Sequence, residues 1–124
     1  MVAGILRGAD DRVLLGQRLA HKPHAGMWEF PGGKVEVGET ARAALRRELS
    51  EELGIGLILA SPFHHHVHSY TTGDIALEVW LVTQWHGEPV AREGQALVWV
   101  NTLELGRWAM PAADWPARDL LLTY

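Results

Sequence analysis

The 124 residues predict one mixed α/β domain, and three observations carry that expectation. Short runs of valine, isoleucine and leucine broken by glycine and aspartate open the chain and read as strands. One segment, Ala41 to Leu53, has helical periodicity with a start signal before it and a stop signal after it. Two longer runs rich in β-branched and aromatic residues follow and read as a hairpin. The length suffices for one hydrophobic core but not for two, so residues 1–124 are read as a single domain.

In chain order, "VAGILR" (Val2 to Arg7) and "RVLLGQR" (Arg12 to Arg18) are strands joined by the turn-forming "GADD". "LAHKPHAGM" is a polar loop. "WEFPGGKVEVGET", punctuated by Pro31, Gly32, Gly33 and Gly38, is loop and short strand. Thr40 is a good N-cap for the helix Ala41 to Leu53, and Gly54 a good residue to stop it. "IGLILA" opens a further strand, and "FHHHVHSY" and "IALEVWLVTQW" pair across "TTGD". "REGQ" is a loop, "ALVWV" a strand, and "DWPARDLLLTY" a short terminal helix capped by Asp114. No repeat or low-complexity tract interrupts this order.

Composition excludes several functions. The apolar fraction of 48% is ordinary for a folded, soluble protein. A net charge of −4 supplies no basic field for a polynucleotide. The absence of cysteine removes disulfides and thiolate metal sites and fits a reducing compartment. No run is long enough to span a bilayer, and "MVAGIL" is too short for a signal peptide, so the cytoplasm is the default. A monomer or homodimer acting on a small molecule is expected.

The stretch "RRELSEELGI" sets a physical problem. At about 100° per residue, Glu48, Glu51 and Glu52 fall within one sector. Leu45, Leu49 and Leu53 form the buried stripe beside it, whereas Ala43, Arg46, Arg47 and Ser50 lie opposite. Acids bordering the buried side repel one another unless something neutralises them. A divalent cation is the obvious candidate, because Mg²⁺ and Mn²⁺ prefer oxygen ligands and a helix holds carboxylates at fixed spacing.

From Gly33 the chain runs "GKVEVGETARAALRRELSEELGI": a glycine, five residues, Glu39, seven residues, then Arg47-Glu48-Leu49-Ser50-Glu51-Glu52-Leu53-Gly54-Ile55. This resembles the Nudix box at every defined position, and so many positions at fixed spacing make a specific signal. The resemblance implies an α/β/α sandwich with a mixed central sheet, the box helix on one side and the C-terminal helix on the other. It also implies Glu48, Glu51 and Glu52 as metal ligands, the carbonyl of Gly32 as another, and an Arg47–Glu39 ion pair that orients loop and helix.

"GQR", "WEFPGGKVEVGET", "WLVTQWHGEP", "EGQ" and "MPAADWP" occur in the order of the MutT branch of that family. On this likeness Glu93 is a further metal ligand or base, Arg18 binds phosphate, and Lys34 is a weaker phosphate candidate. Glu48, Glu51 and Glu93 are all eligible to take a proton from water, since acids around one cluster titrate together. Phe30 fills the position of an aromatic residue that helps hold the base.

Asp114 stands where the branch carries asparagine, and an ionised aspartate only accepts hydrogen bonds. It is also a sound helix N-cap. Gly73 stands where the branch has a polar residue. Trp28 is a pocket-rim candidate among six tryptophans otherwise expected to pack. "HHHVH" places His64, His66 and His68 on one strand face and His65 on the other, read as an exposed, histidine-rich face rather than a metal site.

The resemblance thus implies a Mg²⁺-dependent nucleoside triphosphate pyrophosphohydrolase, with 8-oxo-dGTP as first substrate. The alternatives are another nucleotide, such as a pyrimidine triphosphate, and a noncatalytic nucleotide-binding sensor.

Overall fold

The computed structural model describes residues 1–124. β1 (Val2–Leu6) and β2 (Arg12–Gln17) form as expected. Two-residue strands β3 (Trp28–Glu29) and β4 (Gly32–Gly33) flank Pro31, and α1 spans Ala41–Leu53. β5 (Gly56–Tyr70) and β6 (Gly73–His86) make the hairpin, β7 is Leu97–Asn101, and α2 is Trp115–Leu121. Short 3-10 turns at Thr102–Arg107 and Ala112–Asp114 separate β7 from α2.

One sheet has the order β4-β1-β6-β5 and the other β3-β2-β7. β1 runs parallel to β6 while the remaining pairs are antiparallel, so the sheet is mixed. α1 closes one core, setting Leu45, Leu49 and Leu53 against Val2, Leu6 and Val82. The 3-10 turns and α2 close the other, with Leu105, Met110, Ala117 and Leu121 packed on Ile5, Val79 and Leu15. These two cores give the expected α/β/α layering.

Two expectations change. "IGLILA" and "FHHHVHSY" are one strand rather than two, because Pro62 lies on an edge strand where register shifts absorb it. The face carrying His64, His66 and His68 is half-buried, not exposed. Nε2 of His64 and both ring nitrogens of His66 are shielded without a hydrogen-bond partner. Burial, and then His64 and His68, hold His66 below the usual histidine range.

Candidate active site

α1 begins where Thr40 Oγ1 accepts the amide of Ala43 (3.1 Å). It ends where Gly54, at φ 68°, turns left-handed and donates to the carbonyls of Leu49 and Ser50. Leu45, Leu49 and Leu53 are fully buried, which fixes the rotation of the helix and points Glu48 and Glu52 along the sheet edge. Arg47 does not stay on the solvent face. It folds back to grip Glu39 through two bonds (Nε 2.8 Å, Nη2 2.9 Å) and donates to the Lys34 carbonyl (2.9 Å). The Arg47 bond, helped by the Glu36 amide, holds the Glu39 carboxyl down at about 2.

The repulsion among the acids is partly answered by Arg47, whose Nη1 reaches Glu48 (2.9 Å) and Glu51 (3.3 Å). Burial nonetheless outweighs that bond and holds Glu48 above the ordinary carboxylate range, with Glu51 and Glu93 adding to it. Glu52 has no cation; its Oε2 accepts only the amide of Gly32 (3.1 Å). Burial, then Glu48, Glu93 and Glu29, push Glu52 up to about 8. A Cβ on Gly33 would collide with the Glu48 carboxyl, so the glycine is what lets this acid approach the loop backbone.

Glu93 comes from the loop between β6 and β7. That loop is fastened to the end of α1: the Arg92 amide (3.1 Å) and Gln95 Nε2 (3.1 Å) donate to the Glu52 carbonyl. Gln95 Oε1 in turn accepts the Glu93 amide (3.0 Å). Glu52 and Glu93 thereby line one cleft with Arg18, Lys22 and Glu29. Arg18 donates to Glu29 (2.8 Å) and to the carbonyl of Pro23, leaving Nη2 uncommitted. The enclosed part of the cleft is only about 30 Å³, room for a water or two. An elongated anion must therefore lie along its rim. A larger hollow of about 300 Å³ between Trp85 and Trp99 shares no residue with the acids.

The other candidates are placed unevenly. Phe30 is 2% exposed and belongs to the core, not to the lining of the cleft. Trp28 stands edge-on to Trp108 (4.9 Å, 83°) at the margin of the same core. Lys34 is exposed beside the loop that Arg47 holds. Asp114 sits at the head of α2, but its side chain makes no capping hydrogen bond, which corrects the capping expectation. It is buried instead, 7% exposed. Burial and then Glu29 push its carboxyl up to about 7, with Arg18 pulling the other way. Glu29, Lys22 and Gln95 are not singled out from the sequence, although Glu29 and Gln95 lie within the motif segments "WEFPGGKVEVGET" and "EGQ".

The geometry agrees with comparisons to known proteins. The model of the NUDIX domain matches residues 2–119. The chain belongs to the Nudix family. This Nudix chain is 41% identical to the 8-oxo-dGTP diphosphatase of Haemophilus influenzae over 92% of its own length and 84% of the relative's. It is 42% identical to the CTP pyrophosphohydrolase of Escherichia coli, covering 98% and 90%. Among solved structures, MutT from a study of Aliivibrio salmonicida and Vibrio cholerae superposes with a TM-score of 0.86 at 36% identity, covering 98% and 94%. The E. coli ORF135 protein gives 0.86 at 40%, covering 98% and 86%.

Nudix hydrolases are metal-dependent, and the residues here fit a hard dication. The donors are all oxygen, and Glu52 is a buried acid among like charges with no cation of its own. The acids are not a closed cage, since no three acid or histidine side chains converge on one point. Magnesium usually draws only part of its shell from carboxylates and the rest from waters and phosphate oxygens.

Proposed function

We propose that this Nudix chain is a Mg²⁺-dependent nucleoside triphosphate pyrophosphohydrolase, giving a monophosphate and pyrophosphate, that removes oxidised guanine nucleotides such as 8-oxo-dGTP. The observation that carries the reading is one cleft in which Glu52 and Glu93 face Arg18, with Glu48 and Glu51 alongside on α1. The H. influenzae relative, named 8-oxo-dGTP diphosphatase, supports the substrate.

Glu48, Glu51, Glu52, Glu93 and the Gly32 carbonyl would hold Mg²⁺, with Mn²⁺ as a substitute. When bound, the ion offsets phosphate charge and lowers the pKa of nearby water. Glu48, Glu51 or Glu93 takes the proton of the attacking water. Arg18 offers Nη2 to a phosphate oxygen while Glu29 and Pro23 hold its other nitrogens. Lys34 stands on the exposed side of the loop as a second phosphate contact. Arg47 and Glu39 keep loop and helix in register.

We place Asp114 and Trp28 at the base end, with Phe30 in the core against which Trp28 packs. An uncharged Asp114 carries one donor and one acceptor, as asparagine does. That pair complements the N7–H and O6 of 8-oxoguanine, whereas guanine offers two acceptors there. The same pair also matches cytosine, whose edge presents an acceptor beside the N4 donor. Asp114 therefore supports a second reading, a cytidine triphosphate substrate, and the E. coli relative is named CTP pyrophosphohydrolase.

The test is kcat/KM for 8-oxo-dGTP, dGTP, CTP and UTP at equal low concentration with Mg²⁺. A preference for 8-oxo-dGTP supports the first reading and a preference for CTP the second. Nucleotide binding without turnover would overturn both and leave a noncatalytic sensor.

A further inference from the structure

Tyr70 ends β5 at the hairpin turn, far from the acidic helix. Its phenol oxygen accepts the amide of Ala113 (2.8 Å) across 43 residues of sequence. Ala113 lies in the Ala112–Asp114 turn, whose first amides have no partner within the turn. The Tyr70 oxygen is thus the acceptor that the turn itself does not supply. The neighbouring bonds are local: the Asp114 amide donates to Pro111 (2.9 Å), and Trp115 Nε1 donates to Met110 (2.9 Å). Tyr70 ties this turn to the sheet by that bond, and the His66 ring of the same strand lies beside the Ala113 backbone. The Asp114 carboxyl makes no capping bond, so its direction follows from where the turn is held.

The same ring touches a second wall. It lies 4.9 Å from the His24 ring and 4.5 Å from that of His68. His24 has φ 58°, a conformation uncommon for residues other than glycine, and adjoins Pro23, whose carbonyl accepts from Arg18. One phenol therefore bridges the loop that steadies Arg18 and the turn that carries Asp114.

We infer that Tyr70 is a positioning residue for base selection, acting by holding the Ala112–Asp114 turn so that Asp114 faces the base. The inference rests on the proposed base-reading role of Asp114. It assigns the selectivity to a hydrogen bond made by a residue that touches no substrate.

The experiment is a double-mutant cycle of Tyr70→Phe and Asp114→Ala. It reads the ratio of kcat/KM between the preferred nucleotide and its counterpart (8-oxo-dGTP against dGTP, or CTP against UTP). Phenylalanine keeps the ring contacts and removes only the acceptor. The expected result is a loss of discrimination of roughly 5- to 20-fold in Y70F, about one hydrogen bond's worth, through KM more than kcat. Adding Y70F to D114A should cost nothing further.

If D114A leaves discrimination intact, the base-reading role fails and the inference with it. If D114A lowers discrimination but Y70F does not, or if Y70F lowers it by the same factor in D114A as in wild type, positioning by Tyr70 alone is overturned. Amide exchange at Ala113 is a readout independent of turnover: it should quicken in Y70F while the exchange of β6 stays unchanged. Unaltered exchange at Ala113 would contradict the role of the bond.

Discussion

Arg47 and Glu39 meet in a two-bond fork of 2.8 and 2.9 Å, and the same guanidinium reaches Glu48 and the Lys34 carbonyl. One side chain thus fixes the loop before α1 and one of the acids on it. Lysine has a single nitrogen and cannot make these bonds together. Arg47→Lys should lower kcat/KM by about 10- to 100-fold, the usual cost of losing an orienting partner. Loss of turnover without unfolding, seen by circular dichroism beside the assay, is the expected pattern.

Glu39 also sets an acid limit. Its folded pKa, about 2, lies below the ordinary 4.5. The folded state therefore gains from Glu39 above pH 4.5, and the gain disappears as pH falls through about 2. The Tm gap between wild type and Glu39→Gln should be constant above pH 5 and close toward pH 2. A gap that widens in acid would contradict the fork as the source.

Gly32 and Gly33 are adjacent but should fail differently. A Cβ on Gly32 meets the backbone of Val2 and Ala3, which cannot move aside. A Cβ on Gly33 meets the end of the Glu48 side chain, which can. Gly32→Ala should destabilise by about 1–3 kcal/mol or more, as overpacking does. Gly33→Ala should melt nearly as wild type yet lose most activity. Denaturant titration of both variants separates the two causes.

Glu52 should make the metal-free protein sensitive to alkali. Its folded pKa, about 8, is raised from 4.5, so its contribution is whole below pH 4.5 and lost as pH rises through about 8. Glu52→Gln keeps an acceptor for the Gly32 amide and removes the charge. Without metal, E52Q should be more stable than wild type at pH 8, by a few kcal/mol at most. Mg²⁺ should raise the Tm of wild type more than that of E52Q.

Asp114 gives a matching test at the base end. Its folded pKa of about 7 exceeds 3.8, so its contribution to stability is whole below pH 3.8 and lost as pH rises through about 7. Asp114→Asn should flatten that dependence. Base discrimination should decline in wild type above pH 7, as the donor is lost, and persist in D114N. Parallel pH profiles for the two proteins would remove Asp114 from base reading.

The box helix was legible because its signals are local: the Thr40 cap, the leucine stripe and the Gly54 stop. Its acids carried the site for the same reason. Glu29 carries no such spacing; it matters because two short strands fold beside Arg18 and Asp114, a tertiary fact. Asp114 misled the capping reading because burial against the core prevailed over a local preference that any exposed aspartate would satisfy. The histidine strand misled through period alone, since alternation predicts which residues share a face but not what covers it. Pro62 likewise reads as a break and becomes tolerable only on an edge strand.

The most direct measurement is hydrolysis of 8-oxo-dGTP and CTP with products resolved, with and without Mg²⁺, in wild type and Glu51→Gln. The account predicts Mg²⁺-dependent release of monophosphate and pyrophosphate, falling by at least about 100-fold in E51Q while the fold is retained. Release of orthophosphate, or turnover unchanged in E51Q, would contradict it.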